Sequence, residues 1–500
     1  MDKKRIFYNM VSGLLYQGVT FILAFLIPRL FLVNFGSEIK GMLSTITQIF
    51  SYLWLLEAGV GLATTQALYL PISQKNHASI NSIMAATDYY YKKTGYIYLF
   101  FVLLFSFGFS WFAHLSLPRW TIFGIVLMQG LPNVISYLFV LKYRLLLEAE
   151  GKSYILNNMQ MILHFFVNFG KVLVLYCTEN IILVQLLPCI SIVFQMSFLF
   201  FYMKKHYKWL SFSGVIPDFQ AIAKKGSALI HQISGVIFNN TDILLLSMMC
   251  GFKVSSVYSI YKSFYYYVES FLTTLSSSFT FSLGQMFHVD KKKFQIYQDL
   301  YETGYLLVSY ILYTLLFLFI LPVIRIYTRG VHDINYINPI LPILFTVMSL
   351  LAHGKLPINQ VIIFSEEFHN TKLHAVVEAV LNLSVSAVAI YFWGISGGLC
   401  GTIVAIIFRN IVTIQYACKK ILHCPVWSVY KKLTANFTVF IFWIVVYWFH
   451  SMELTSYGSI MVRGILYAFP VSFSYLAVNM IIQPWVVGFC WKILKEKRTK

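Results

Sequence analysis

Hydrophobic stretches long enough to cross a lipid bilayer follow one another along almost the whole chain. A helix needs about 20 residues to cross ~30 Å of hydrocarbon. Hydrophobic residues make up 58% of the sequence and charged residues only 11%, and the mean hydropathy is +0.71. We therefore expect an all-α polytopic membrane protein in which little of the 500-residue chain remains for a soluble domain.

The sequence predicts fourteen spans joined by short loops. They cover residues 11–33, 42–69, 95–115, 121–141, 154–176, 180–202, 227–250, 254–282, 304–325, 336–364, 373–393, 395–417, 434–450 and 459–482. The first span follows Lys3, Lys4 and Arg5, as a signal peptide would. It is longer than a signal-peptide core and has no small-residue cleavage site, so we expect it to stay as an anchor.

The positions of the basic residues explain the net charge of +19. Of the 38 Lys and Arg residues, 27 lie on the side of the membrane that holds the N-terminus, 6 on the other side and 5 inside predicted spans. This asymmetry is the positive-inside bias, so we expect both termini in the cytoplasm of a bacterial cell and no nucleic-acid partner. The seven cysteines show neither a disulfide pattern nor a zinc pattern.

The predicted spans fall into two similar halves and an appendage. A polar stretch divides six spans from eight, and an offset of about 215 residues places Gly36 over Gly251 in similar short outer turns. We expect an N-lobe at 1–205, a cytoplasmic linker at 206–226, a C-lobe at 227–420, and two extra spans with a basic cytoplasmic tail at 421–500. Because each half has an even number of spans, the pseudo-two-fold axis should run along the membrane normal.

Nine ionisable residues lie inside the predicted spans, where each would cost ~3 kcal/mol if it faced lipid. Most of them must therefore pair or line a wet cavity between the lobes. On span eight, four residues share a face by their i, i+3, i+4, i+7 spacing. The residues predicted to line the cavity are Arg29, Glu57, Asn239, Asn240, Asp242, Lys262, Tyr265, Tyr266, Glu269 and Lys355, and the other ionisable residues within spans are Lys171, Glu378 and Arg409.

Motifs for ATP-driven transport and for catalysis are missing from the sequence. Gly151-Lys152-Ser153 ends like a phosphate-binding loop, but Leu146 stands where the first glycine is required. No zinc-protease motif or catalytic triad spacing is present, and the outer loops are too short for a glycan polymerase. We therefore expect a protein that is not an enzyme and that uses no cofactor or metal.

Several segments resemble the bacterial polysaccharide flippases, which export O-antigen and capsule repeat units and belong to the multidrug/oligosaccharidyl-lipid/polysaccharide superfamily. The first segment runs from Pro28 to Tyr69 and contains a Gly36-to-Gly41 turn and the stretch Glu57-Ala58-Gly59-Val60-Gly61. Asn239 to Tyr261 resembles the opening of the family's seventh span, and Glu148 to Ile155 fits the segment after span four.

The resemblance implies two six-helix lobes of the MATE-like type around a cationic cavity. It also implies transport of undecaprenyl-pyrophosphate-linked oligosaccharides to the outer leaflet, with membrane lipids, glycosyltransferases and a polysaccharide polymerase as expected partners. Two alternatives stay open at this point. One is a cation-coupled multidrug antiporter of the same superfamily, and the other is a membrane enzyme of glycan assembly.

Overall fold

The computed structural model describes residues 3–57, 59–113, 115–178, 180–212, 214–222, 226–365, 367–449 and 454–485, without the side chains of residues 3–24, 62, 226–229, 281 and 368. This part of the chain is helical and contains no strand. The helices are α1 (Lys3–Leu53), α2 (Val60–Ser73), α3 (His77–Phe112), α4 (Arg119–Ile135), α5 (Leu141–Ala149), α6 (Ser153–Cys177), α7 (Ile181–His206), α8 (Gly226–Met249), α9 (Phe252–Val289), α10 (Lys291–Tyr327), α11 (Ile340–Gly354), α12 (Leu356–Phe364), α13 (Phe368–Tyr416), α14 (Val426–Phe449) and α15 (Tyr457–Ile482).

Nine helical segments in the described residues are long and apolar enough to cross a membrane. They coincide with ten of the predicted spans, because the segment His369–Leu422 contains both span eleven and span twelve. Span one lies in α1, span two extends from α1 into α2, span seven coincides with α8, and span eight lies in α9. The all-α polytopic fold is confirmed, while the total of fourteen spans remains a prediction, and the basic tail from Lys492 lies outside the described residues.

Polar side chains fix where several of these helices begin. The carboxylate of Asp290, for example, accepts a hydrogen bond of 3.1 Å from the backbone N–H of Lys293 at the start of α10. Such caps satisfy N–H groups that have no partner within the helix. Asn76, Asn180 and Ser456 play the same part for α3, α7 and α15.

Glycines in unusual conformations set the main bends in the helices. Gly36 has φ 77° inside α1, where predicted spans one and two join, and Gly394 has φ 53° inside α13, between spans eleven and twelve. Positive φ values are costly for residues with a Cβ atom. Predicted span two is not one continuous helix, because a 3₁₀ turn at Trp54–Glu57 and a left-handed Gly59 separate α1 from α2.

The chain forms two compact units, Met1–Val236 and Ile237–Lys500. In the first unit, an apolar core forms around five fully buried side chains: Leu68, Met84, Leu146, Leu199 and Ile222. The predicted linker packs onto this unit. The Asn81 amide donates to the carbonyl of Trp209 at 3.1 Å, and the Lys152 ammonium donates to the hydroxyl of Tyr207 at 2.8 Å.

The second unit has a core of stacked aromatic rings. The ring of Phe345 from α11 lies 5.2 Å from Tyr258 and from Tyr265, and 5.8 Å from Tyr261, all three on α9. Large apolar side chains elsewhere stay exposed, including Trp393 and Phe449. An exposed aromatic surface of this kind suits contact with lipid rather than with water.

Candidate functional site

The break in span two positions a carboxylate among tyrosines in the first unit. Glu57 ends the 3₁₀ turn, and its Oε1 accepts a hydrogen bond of 2.8 Å from the hydroxyl of Tyr91 on α3. Glu57 Oε2 and the hydroxyl of Tyr137 are both buried and interact electrostatically with each other, but neither makes a geometrically well-formed hydrogen bond in the described part of the chain. This arrangement leaves one carboxylate oxygen with an unused acceptor position, which a proton or a cation could occupy.

Arg29, the other predicted residue of the first unit, lies half-buried in α1. It takes part in an interaction with its surroundings. The remaining eight predicted residues all belong to the second unit. The structure therefore divides the predicted site residues between the two units.

In the second unit, Asp242 is buried, at 3% exposed. Its Oδ2 accepts hydrogen bonds from the Tyr258 hydroxyl at 2.7 Å and from the Thr402 hydroxyl at 2.9 Å. The Asn382 amide in turn donates to the Thr402 hydroxyl at 2.9 Å. The carboxylate thus ties α8 to α9 and α13 through neutral donors.

Lys262 lies one turn beyond Tyr258 on α9, and its ammonium donates to the backbone carbonyl of Asn239 at 2.6 Å. The ammonium lies 5.7 Å from the centre of the Tyr258 ring. Within the described residues Lys262 has no carboxylate at ion-pair distance, although Asp242 and Glu269 lie within electrostatic range. Its positive charge is therefore not neutralised by direct contact.

The predicted polar face of span eight is only partly open. Tyr266 and Glu269 are exposed. Tyr265, however, is only 3% exposed, and its hydroxyl lies 2.8 Å from the Thr346 hydroxyl. Tyr265 is thus a packing residue between α9 and α11, because its side chain turns towards the aromatic core and not towards the open side of the helix. Asn239 is exposed and Asn240 is half-buried on α8.

Lys355 separates α11 from α12 and belongs to a cluster of three charges. Its ammonium lies 2.7 Å from Glu378 Oε1, while Arg409 Nε lies 3.6 Å from Glu378 Oε2. Both partners belong to α13. Lys355 is thus paired, in contrast to Lys262, and Glu378 serves as the structural partner of two basic residues.

Sequence reasoning missed two further clusters of buried charge. Lys432 on α14 contacts both Asp299 and Glu302 on α10. In the first unit, Lys142 lies 2.5 Å from Asp88. The predicted spans began or ended close to these residues, so they counted as loop charges. The signal that could have found them is the presence of acidic and basic residues at helical spacing just beyond the apolar stretches.

Comparisons with known proteins show which solved structures have a similar fold. No family model matches the sequence, and no curated protein matches it. The structure is similar to the lipid II flippase MurJ in its inward closed conformation, with a TM-score of 0.64, 15% identity, and coverage of 96% of this chain and 99% of MurJ.

Two further similar structures are transporters of the MOP superfamily. A multidrug resistance MATE family transporter in an inward-facing conformation gives a TM-score of 0.61 at 12% identity, with 85% of this chain and 98% of that chain covered. A MOP superfamily transporter from Pyrococcus furiosus gives 0.60 at 12% identity, with 85% and 96% covered. Identities this low establish the fold alone. The expected likeness is confirmed at that level: the chain is a multi-pass membrane protein with the fold shared by the lipid II flippase MurJ and by MATE transporters of the MOP superfamily.

Proposed function

We propose that this protein is a flippase that moves polyprenyl-pyrophosphate-linked oligosaccharides from the cytoplasmic to the outer leaflet of a bacterial cell membrane. The coverage of the structural comparisons carries this proposal. MurJ matches 96% of the chain, whereas the MATE family transporter matches 85%. The additional coverage is close in size to α14 and α15 together, and the sequence predicts these two helices as extra spans beyond two sets of six.

The second unit supports the proposal with an unneutralised cation beside polar and aromatic groups. A pyrophosphate needs cationic donors, and a sugar needs amide hydrogen bonds and aromatic faces. Lys262 supplies the first, because its ammonium contacts a carbonyl and not a carboxylate. Asn239, whose carbonyl accepts the Lys262 hydrogen bond, and Tyr266, one turn after Lys262 on α9, are both exposed and supply the second.

The proposal includes the organisation expected from the sequence. The two six-helix lobes would comprise 1–205 and 227–420, with the linker at 206–226 and two extra spans in 421–500. Both termini would lie in the cytoplasm, where glycosyltransferases assemble the cargo, and a polysaccharide polymerase would receive it outside. Arg29, Glu57, Asn240, Asp242, Glu269 and Lys355 would line the transport path with Lys262.

Reconstitution tests this function directly. Vesicles that contain the purified protein and an undecaprenyl-pyrophosphate-linked oligosaccharide should expose the glycan on the opposite leaflet, where a lectin detects it. Lys262→Gln should slow this movement, whereas Lys253→Gln should not, because Lys253 is exposed in the first turn of the same helix. Glycan movement no faster than in protein-free vesicles would rule the function out.

A cation-coupled multidrug antiporter is the second candidate. It is favoured by the open acceptor position on the Glu57 carboxylate and by the likeness to a multidrug resistance transporter. Such a protein would raise the resistance of cells to organic cations, and Glu57→Gln would remove that resistance. If the protein is a flippase, its deletion should instead block the appearance of glycan at the cell surface and leave drug resistance unchanged.

A further inference from the structure

The end of α13 brings two cysteines together. The helix finishes in a π turn at Ala417–Leu422, after which His423 adopts a left-handed conformation with φ 51° and ψ 43°. The backbone N–H of Cys424 then donates to the carbonyl of Cys418 at 3.0 Å. This 7→1 bond is one residue wider than the 6→1 bond of a Schellman helix end, in which the side chains near the two ends frequently make contact.

The two thiols differ in exposure and in chemical state. Cys418 is buried and Cys424 is half-buried. A hydrogen bond from the Cys418 thiol lowers the pKa of Cys424 from 9.0 to about 7. Lys432 and a hydrogen bond from Ser428 act in the same direction, whereas burial and the charge of Glu302 act against it.

Basic residues flank the more accessible thiol in the sequence, and the charge of Lys432 acts on it from α14. Lys419, Lys420 and His423 are exposed between the two cysteines. A thiolate is the nucleophilic form of cysteine, and reactive cysteines occupy partly exposed, electropositive surroundings. Cys424 therefore has the features of an attacking thiol, and Cys418 lies in position to resolve its products.

We propose that Cys418 and Cys424 form a reversible thiol–disulfide site that reacts with low-molecular-weight disulfides at the junction of α13 and α14. The Cys424 thiolate attacks one sulfur of the small disulfide, so that a mixed disulfide forms and the first small thiolate leaves. Cys418 then attacks the Cys424 sulfur, and the second small thiolate leaves with the proton of Cys418. The protein loses two electrons, and the small disulfide is reduced to two thiols.

The resulting bond would connect the last turn of α13 to the loop that opens α14. Lys432, near the start of α14, is at the same time paired with Asp299 and Glu302 on α10. The oxidised site would thus fix the junction of two helices that already share a charged anchor. This inference is independent of the cargo that the protein carries.

Peptide mass spectrometry of the full-length protein tests the proposal. Trypsin cuts after Lys419 and Lys420, so a disulfide between the two cysteines leaves their peptides covalently joined. After treatment with oxidised glutathione we expect this joined product, and we expect a reducing agent to separate it. Cys177, an exposed cysteine on α6, provides the internal reference. Glutathione attached to Cys177 with Cys418 and Cys424 still reduced would overturn the proposal.

Two variants at Cys418 test whether the two thiols react together or merely lie close to each other. In the wild type, alkylation of Cys424 should be half-maximal near pH 7. Cys418→Ala should move this midpoint towards ~8.5, the value of a free cysteine. Cys418→Ser keeps a hydrogen-bond donor, so it should retain the low midpoint, yet glutathione should remain attached to Cys424. A wild-type midpoint equal to that of free cysteine would contradict the assignment.

Discussion

At the scale of single residues, buried charges in this protein depend on partners from distant parts of the sequence. The Lys432 side chain is 1% exposed and lies 3.0 Å from Glu302, whose side chain is 4% exposed. A buried charge that loses its partner is strongly destabilising, because the charge that remains has no solvent to stabilise it. Lys432 is consequently a structural anchor of α14 on α10.

Lys432→Met should lower the free energy of unfolding by ~3–5 kcal/mol. Lys431→Met is the matched control, since Lys431 is the exposed neighbour on the same helix and should change stability by no more than ~0.5 kcal/mol. Adding Asp299→Asn and Glu302→Gln to Lys432→Met should recover much of the loss. Thermal unfolding of the detergent-solubilised protein measures all three, and equal midpoints for Lys432→Met and Lys431→Met would contradict the anchor.

The Tyr91–Glu57 hydrogen bond gives a second prediction at this scale. Tyr91→Phe should destabilise the protein by ~1.5–3 kcal/mol, because Oε1 of the buried carboxylate loses its hydrogen-bond donor. The double variant with Glu57→Gln should be less destabilised than the sum of the single variants. Tyr96→Phe is the control, because Tyr96 is 63% exposed on the same helix. Strict additivity in thermal unfolding would show that the two side chains do not interact.

Sequence alone could identify the charged residues within spans but not their partners. Glu57, Asp242 and Lys262 stand out because a charge within an apolar stretch is costly. Thr402, however, lies 160 residues from Asp242, and only the folded chain brings them together. The prediction that Tyr265 lines an open face is wrong, because helical spacing gives the side of a helix without showing what packs against that side.

At the scale of whole elements, the hairpin inside α13 depends on close helix packing. A Cβ atom at Gly397 would lie 2.0 Å from the carbonyl oxygen of Ala389, and one at Gly401 would lie 2.5 Å from the backbone nitrogen of Ser386. Small residues four apart allow helix backbones to approach closely in membranes. The two helices on either side of Gly394 are therefore held together by backbone contact.

Gly397→Ala should destabilise the protein by at least ~1–3 kcal/mol, because the obstructing atoms belong to the backbone and cannot rotate away. Gly304→Ala provides the comparison, since Gly304 lies in α10 with open space around it. That change should be neutral or stabilising by ~0.5–1 kcal/mol through helix propensity. Folded yield and thermal midpoint measure both variants, and a Gly397→Ala protein as stable as the wild type would refute the packing argument.

Helix existence was easier to predict than helix continuity. Apolar length correctly identified the helical spans because about 20 apolar residues have few other stable arrangements in a membrane. Hydropathy did not reveal the helix break marked by Glu57 and Gly59, since one acidic residue and a glycine barely alter the average over a span. The left-handed φ of 84° at Gly59 depends on backbone geometry that composition does not encode.

At the scale of the whole molecule, the apolar stretches predict fourteen spans, and the distribution of basic residues predicts that both ends lie in the cytoplasm. Reporter fusions after Lys293 and after Lys500 should therefore report the cytoplasm, and a fusion after Arg329 should report the outside. The fusion after Arg329 is also the control that a reporter on the outer side of the membrane can be detected. A reporter after Lys500 that reached the outside would contradict an even number of spans.

The membrane potential provides the last prediction, because the proposed cargo is an anion and the sequence contains no nucleotide-binding motif. An interior-negative potential drives anions outward by ~2.3 kcal/mol per charge per 100 mV. A pyrophosphate diester with roughly two charges would gain up to ~4–5 kcal/mol, which biases the distribution between leaflets by ~10³-fold. A cation that binds Glu57 or Glu269 and moves inward could add to this bias. In vesicles that hold the lipid-linked oligosaccharide, valinomycin with equal potassium on both sides should slow net outward movement. Unchanged rates and extents at zero potential, with ion gradients also collapsed, would instead indicate passive exchange between leaflets.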